Sequence, residues 1–214
     1  MPTPSAGQQR SARPAGDYVF LNLPYDAQFE PLFLAYIAGV SAFGLLPRTP
    51  LEIPGGGRRL DNIFDQLRSC RYSIHDLSRV QVSRTAPRTP RFNMPFELGL
   101  AVAHQKAGGT HTWFVFEQVA HRLSKSLSDL DGSEVYLHHG KPNGVLAELG
   151  NAFIRSGRQP TLDQMRAIYR GLRRAKPTIL HESGAKTLFA ARPFKDLSTL
   201  ASALADEVIL GSNR

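Results

Sequence analysis

Cysteine is almost absent from this chain: Cys70 is the single one among 214 residues. One thiol excludes an intrachain disulfide framework and the zinc sites built mainly from cysteine. Long apolar runs are missing as well, and nothing approaches the roughly 20 consecutive residues that a bilayer-crossing helix needs, so no membrane association is expected. Residues Met1 to Gly16 hold no apolar core of a secretory signal, and they are expected to form a disordered tail on a cytoplasmic protein. Acidic side chains are in deficit, 18 Asp and Glu against 26 Lys and Arg, for a formal charge of +8. That surplus favours anionic ligands such as nucleotides, nucleic acid or acidic partners, without selecting among them. Clusters such as Arg166, Arg170, Arg173, Arg174 and Lys176 are ordinarily solvated faces.

What is present is an alternation of short β-rich runs and helical patterns. Asp17 to Leu23 is a compact strand run ending at Pro24. Glu30 to Phe43 follows as a helix, with Leu32, Phe33, Tyr36, Ile37 and Val40 on one face and Gly44 as its stop. Leu45 to Ile53 is a weaker strand candidate, and Pro54 to Gly57 reads as a loop, with its glycines a candidate lid. Arg58 to Arg71 carries Leu60, Ile63, Phe64 and Leu67 at helical spacing, with Cys70 directed at the core. Tyr72 to Asp76 and Thr112 to Phe116 are strands, separated by a basic loop and a helix from Asn93 to Ala107. Further helices are expected around 120–130 and 143–154, and from Thr161 to Arg174, with Thr161 as cap. A strand is expected at 134–138 and a last helix at 197–209. Pro177 to His181 and Lys186 to Ala190 remain ambiguous. This order calls for a mostly parallel sheet with right-handed crossovers, flanked by helices. A disordered tail over 1–16 and one α/β domain over 17–214 are expected, with a core over 17–155 and a helical C-terminal extension over 156–214.

Two carboxylates fall where such a sheet binds ligands, outside the carboxyl ends of its strands. Asp76 ends one strand and Glu97 lies near the start of the next helix, so both are expected to face one crevice. With Asn93 as cap and Pro95 in the first turn, Glu97 would sit near the positive end of the helix dipole and stay ionised. An ionised, positioned carboxylate serves as a nucleophile at an electrophilic sugar carbon or stabilises an oxocarbenium-like charge there. The plain alternatives are favourable helix-start chemistry for Glu97 and turn organisation for Asp76 and Ser78. His75 reads as a core or turn histidine. His138 and His139 are adjacent, point to opposite faces of a strand and have no third partner, so no metal site is expected.

The segments Val19 to Asp26 with Phe29 and Pro31, Arg59 to Ile63 with Arg68 to Arg71, Ser73 to Ser78, and Asn93 to Ala101 together resemble the nucleoside 2-deoxyribosyltransferase-like and TIR-like nucleotide-binding superfamily. The resemblance spans the first half of the chain. It implies a flavodoxin-like fold in which Glu97 attacks or stabilises C1′ of a ribose during N-glycosidic bond cleavage. By the same resemblance Asp76 contacts sugar or base, Asn22, Pro24 and Tyr25 wall the pocket, and Ser78, Asn93 and Arg91 line it. The basic loop from Arg79 to Phe92 is longer than is usual in the deoxyribosyltransferases. Arg84, Arg88 or Arg91 in it would meet a phosphate, which suits a dinucleotide. Deoxyribosyltransferases borrow active-site residues from a neighbouring subunit, and no position in the second half matches that role.

Hydrolysis is therefore favoured over transfer, with NAD glycohydrolase activity as its concrete form, and a homo-oligomer is expected. A role in bacterial antiviral defence or stress signalling is implied by the resemblance alone. No cofactor is expected beyond NAD or another nucleotide as substrate or ligand. A non-catalytic nucleotide sensor is the first alternative. A nucleic-acid-binding accessory protein ranks last, because the positive charge is dispersed and no helix-turn-helix or zinc module is visible.

Overall fold

The computed structural model describes residues 18–53, 58–79, 90–154 and 158–211. The N-terminal tail, the glycines 55–57, Arg84 and Arg88 lie outside the described residues. The elements follow one another as β1 (Tyr18–Asn22), α1 (Glu30–Ala42), β2 (Leu46–Arg48), α2 (Arg59–Arg68), β3 (Tyr72–Asp76), α3 (Asn93–Lys106), β4 (Thr112–Glu117), α4 (Arg122–Ser126), β5 (Val135–Leu137), α5 (Pro142–Ala152), α6 (Leu162–Ser183) and α7 (Ala191–Ala205). The strands form one sheet in the order β2-β1-β3-β4-β5, and every neighbouring pair is parallel. This is the flavodoxin-like α/β arrangement, with helical additions at the C-terminus. Among the described residues no helix is long and apolar enough to cross a membrane.

Strand alternation divides the core into two faces. Val19, Leu21, Ile74 and Phe116 pack with α1, α5, α6 and α7 on one side. On the other, Phe20 meets Ile63, Leu67 and Cys70, while Val115 meets Met94, Leu98 and Leu123. Cys70 is buried as expected, and burial pushes its thiol up to about 12, which leaves it inert at neutral pH.

α1 departs from the expected one-sided pattern. Every residue from Leu32 to Ala42 is buried, because the sheet covers one side and α6 and α7 cover the other. A helix apolar all round belongs in such a sandwich. Its outer rim is fixed by an ion pair from Lys176 of α6 to Glu30. α6 starts as expected, with the Thr161 hydroxyl accepting from the Gln164 N–H (3.2 Å) and the Gln164 side chain accepting from the Thr161 N–H (2.9 Å). It then runs on through Pro177 to Ser183. Pro177 is on the exposed side, where water can take the carbonyl that a proline leaves without a partner. The helix expected around 120–130 shortens to α4 and a turn of 3₁₀ helix at Ser128–Leu130.

One glycine is required by close approach. A Cβ on Gly144, in the first turn of α5, would collide with the His138 carbonyl at the end of β5, and a backbone atom cannot swing aside. Gly144→Ala should therefore force α5 off the sheet at a cost of about 1–3 kcal/mol. Thermal unfolding should show a Tm lower by several degrees (about 2–4 °C per kcal/mol at this chain size), and an unchanged Tm would refute the close approach.

Candidate functional site

The sheet order reverses between β1 and β3, so α1 leaves toward one face and α3 toward the other, the place where an open parallel sheet offers a crevice at its strand ends. Asn22, the last residue of β1, closes its floor. Its buried side-chain amide donates one hydrogen to the Met94 carbonyl of α3 (2.9 Å) and the other to His75 Nδ1 of β3 (3.0 Å). Because Nδ1 accepts, the His75 proton is on Nε2, which donates to Ser73 Oγ (2.8 Å). That hydroxyl in turn donates to His111 Nε2 (2.8 Å), and His111 Nδ1–H donates to the Cys70 carbonyl (2.8 Å). Each group gives one proton and takes one, so two buried imidazoles are satisfied without charge. Burial, and then the neighbouring His111, hold His75 down to about 3. It is a core histidine.

β3 alternation separates the two carboxylates that were expected to share a crevice. His75 turns toward α3, and Asp76 turns toward α1. There Asp76 is fully buried: Tyr36 Oη donates to Oδ2 (2.7 Å), the Ser78 N–H donates to Oδ1 (2.9 Å), and His138 Nε2 lies 3.1 Å from Oδ2. The acceptor sites of Asp76 are thus engaged inside the protein. Its place is that of an organiser, and the ligand contact expected of it is corrected on that ground. Ser78 is likewise buried, its N–H on Asp76 and its carbonyl accepting from Arg122 (2.9 Å).

Ser78, His138 and Asp76 have the residue types of a catalytic triad but not its wiring. A triad places the acid on one imidazole nitrogen and the serine on the other. Here the Gly140 N–H donates to Nδ1 (3.0 Å), while Ser78 Oγ and Asp76 Oδ2 both sit 3.1 Å from Nε2. The trio joins the ends of β3 and β5 as a structural node.

Glu97 lies on the opposite side, within α3. The helix has no side-chain cap: Phe92 occupies the cap position in helical conformation, and Asn93, expected as the cap, is the exposed first residue. Glu97 is therefore the fifth residue, past the turn where the helix dipole acts strongly. Only 6% of it is exposed, and Oε2 is buried with no hydrogen-bond partner among the described residues. Burial raises its carboxyl to about 7, opposed by the positive charge of Arg59 at the start of α2. The expected fully ionised carboxylate is corrected accordingly, because desolvation outweighs what a distant helix end supplies.

Tyr25 completes the cluster. Its ring packs edge-on against Phe33 at 6.3 Å and tilted against Phe189 at 5.8 Å. Its hydroxyl is buried, with the Thr49 side chain as its hydrogen-bonding neighbour. Burial, and then the charge of Glu97, push that phenol upward, so it stays protonated and can donate. Pro24 is buried behind it. At the rim, the exposed Arg91 and the half-buried Arg79 both reach Asp26, Arg91 Nη1 and Arg79 Nε each lying 3.7 Å from Oδ2.

Of the residues expected at the site, Tyr25 and Glu97 come close enough for the charge of one to act on the other, Asn22 and Pro24 are buried at the end of β1, Arg91 is exposed beside Asp26, and Asp76 and Ser78 face away. Arg59 was not anticipated as a site residue. Its only sequence signal is a basic pair opening a helix after a glycine run. The chain matches no protein-family model, no curated protein and no solved structure.

A carboxyl held protonated by burial stabilises the fold at low pH. Below about 4.5 both folded and unfolded forms carry the proton. As pH rises toward 7 only the unfolded form releases it, so the contribution is lost. Glu97→Gln should therefore gain stability relative to the wild type as pH rises through this window, reaching about 3 kcal/mol above pH 7. Urea unfolding at pH 4.5, 6 and 8 measures the difference; a constant offset between the two proteins would show that Glu97 is not desolvated.

Proposed function

We propose that this protein hydrolyses the N-glycosidic bond of a nucleotide or nucleoside, with NAD the preferred substrate and Glu97 the catalytic carboxylate. The observation that carries the reading is one buried polar atom without a partner among the described residues, Glu97 Oε2, close enough to the Tyr25 phenol for its charge to act there. A buried polar atom without a partner forfeits about 1–3 kcal/mol, a cost that a ligand supplying the missing partners would recover.

The chemistry follows from one carboxyl and one cation. Arg59 favours the ionised form of Glu97, and a positively charged substrate entering the crevice would favour it further. Ionised, Glu97 offers its free oxygen to C1′ as the C1′–N bond breaks, either forming a bond or compensating the oxocarbenium charge. The bonding pair leaves with the base. Water then adds to C1′, breaking the C1′–O bond to Glu97 where one has formed and returning the carboxylate, and it releases a proton to solvent, leaving a hydroxyl on C1′.

A pyridinium base departs as a neutral molecule and needs no proton, whereas a neutral purine or pyrimidine leaves well only when an acid protonates it. With Glu97 committed to C1′ and no second carboxyl among the described residues shifted by its charge, the pyridinium nucleotide is the better fit. A homo-oligomer, a cytoplasmic setting and a role in bacterial antiviral defence or stress signalling belong to the same proposal through the resemblance of the first half of the chain.

Incubation of the purified protein with NAD, NADP and free nucleosides, followed by chromatography of the released base, tests it. Wild type should release nicotinamide, and Glu97→Gln should lose about 100-fold or more in turnover, as expected for removal of a transition-state charge. Since kcat/KM reports the free enzyme, it should rise with pH and level off above about 7, where Glu97 ionises. Undiminished turnover by Glu97→Gln would sink the assignment, and tight nucleotide binding without product would favour the sensor reading.

A further inference from the structure

We infer that Arg79 and Arg91 form a phosphate-binding clamp at the mouth of the Glu97 crevice, so that the site selects phosphorylated ligands over free nucleosides. The inference deepens the proposed function and rests on it for the identity of the reacting bond, though the clamp itself stands on separate residues.

The two guanidiniums arrive from opposite ends of the β3–α3 connection, Arg79 just after β3 and Arg91 just before α3. They converge on Asp26, in the loop after β1 and next in sequence to Tyr25. One carboxylate cannot satisfy both. Its Oδ1 accepts the Phe29 N–H (3.1 Å), which fixes the loop. Its Oδ2 lies 3.7 Å from Arg79 Nε and 3.7 Å from Arg91 Nη1, attractive for charge but too long for hydrogen bonds.

Arg79 is held in place by donating from Nη2 to Gln28 Oε1 (3.0 Å), while its Nε is buried with no hydrogen-bond partner. Among the described residues Arg91 makes no hydrogen bond through its side chain. A fork of oriented N–H donors with one net positive charge is therefore held at the rim, beside the tyrosine whose hydroxyl feels Glu97. A tetrahedral phosphate ester or diphosphate supplies what is missing, namely several acceptor oxygens and at least one negative charge. Asp26 keeps the two forks apart and aligned when no anion is bound. The placement also selects a class of substrate. With the reacting ribose at Glu97 and its phosphate at the rim, a nucleotide satisfies both ends and a nucleoside only one.

The test separates this clamp from the catalytic reading by measuring binding and turnover apart. Calorimetric titration with AMP and with adenosine should show AMP bound more tightly by about 10- to 100-fold, the range for charge-assisted hydrogen bonds, with inorganic pyrophosphate competing against AMP. Arg91→Gln and Arg79→Gln should each collapse the ratio of the two affinities toward one, and Arg91→Lys should restore only part of it, since an ammonium lacks the planar fork. Equal affinity for AMP and adenosine in the wild type, or a ratio unchanged in both glutamine variants, would overturn the clamp. Turnover of nicotinamide riboside and nicotinamide mononucleotide, followed in parallel, keeps the two ideas distinguishable. Hydrolysis with no preference for the mononucleotide would leave Glu97 catalytic and the clamp refuted, and phosphate-dependent binding without hydrolysis of either would leave the clamp standing and the catalytic reading refuted.

Discussion

Successive side chains on a strand must point to opposite faces of the sheet, and at the end of β3 this constraint decides what each polar residue can do. His75 turns toward α3 and is bound by Asn22; Asp76 turns toward α1 and is bound by Tyr36. Two separate polar systems result, one on each face. The first runs from Asn22 through His75, Ser73 and His111 to the Cys70 carbonyl, ties β1, β3 and α3 together without any net charge, and so sets the level at which α3 begins. The second gathers Asp76, Ser78, His138 and Tyr36 and fastens β5 to β3 and α1. Neither is open to solvent, and both are satisfied. Glu97 differs from all of them because its position follows from α3, which the Asn22 amide anchors at Met94, and because no group in the described protein completes its hydrogen bonding.

That contrast separates structural polar groups from a candidate site more sharply than residue type does. Aspartate, histidine and serine within hydrogen-bonding reach would ordinarily attract a catalytic reading. Here engagement inside the fold argues against it: Asp76 is held by Tyr36, Ser78 N–H and His138, and the wiring through one imidazole nitrogen leaves no path from serine to acid. A buried carboxyl with an oxygen that nothing among the described residues satisfies, opposed by a guanidinium of the other charge, is incomplete. Incompleteness of this kind costs stability and persists where a ligand completes it.

Much of the fold was legible because its determinants are local. The spacing of Leu60, Ile63, Phe64 and Leu67 marked α2, the apolar run at Thr112 to Phe116 marked β4, and Thr161 with Gln164 marked the start of α6. What failed to show depends on packing partners distant in sequence. A window around α1 cannot reveal that α6 and α7 will cover its outer side, so its five best apolar residues read as one face of an amphipathic helix. Pro177 reads as a break because exposure, which makes it tolerable, is a tertiary property. The alternation of Tyr72, Ile74 and Asp76 against Ser73 and His75 was visible in the sequence, but which face α3 covers is set by topology. For that reason Asp76 and Glu97 could be placed near the same strand end without revealing that they look away from each other. Glu97 itself was legible as the candidate carboxylate; its environment was not, since the shift from a position just inside an Asn93 cap to a buried fifth position depends on Phe92 continuing the helix backward by one residue and on the packing around α3.

The two buried titratable groups at the crevice also bear on stability in opposite directions. Glu97 favours its protonated form in the fold, so its contribution fades as pH rises from about 4.5 to about 7. His75 favours its neutral form, so its contribution is present above about 6.5 and fades as pH falls toward 3. In the interval where the windows overlap each group exchanges about one proton on unfolding, and the two slopes cancel to first order. The neutral imidazole chain beneath Glu97 thus opposes the pH dependence that this carboxyl would otherwise impose on the fold. A fold carrying Glu97 alone would weaken steadily toward neutral pH, where the proposed chemistry needs it ionised; the Asn22–His75 network under α3 supplies an opposing slope through the same anchoring contacts that hold Glu97 in place.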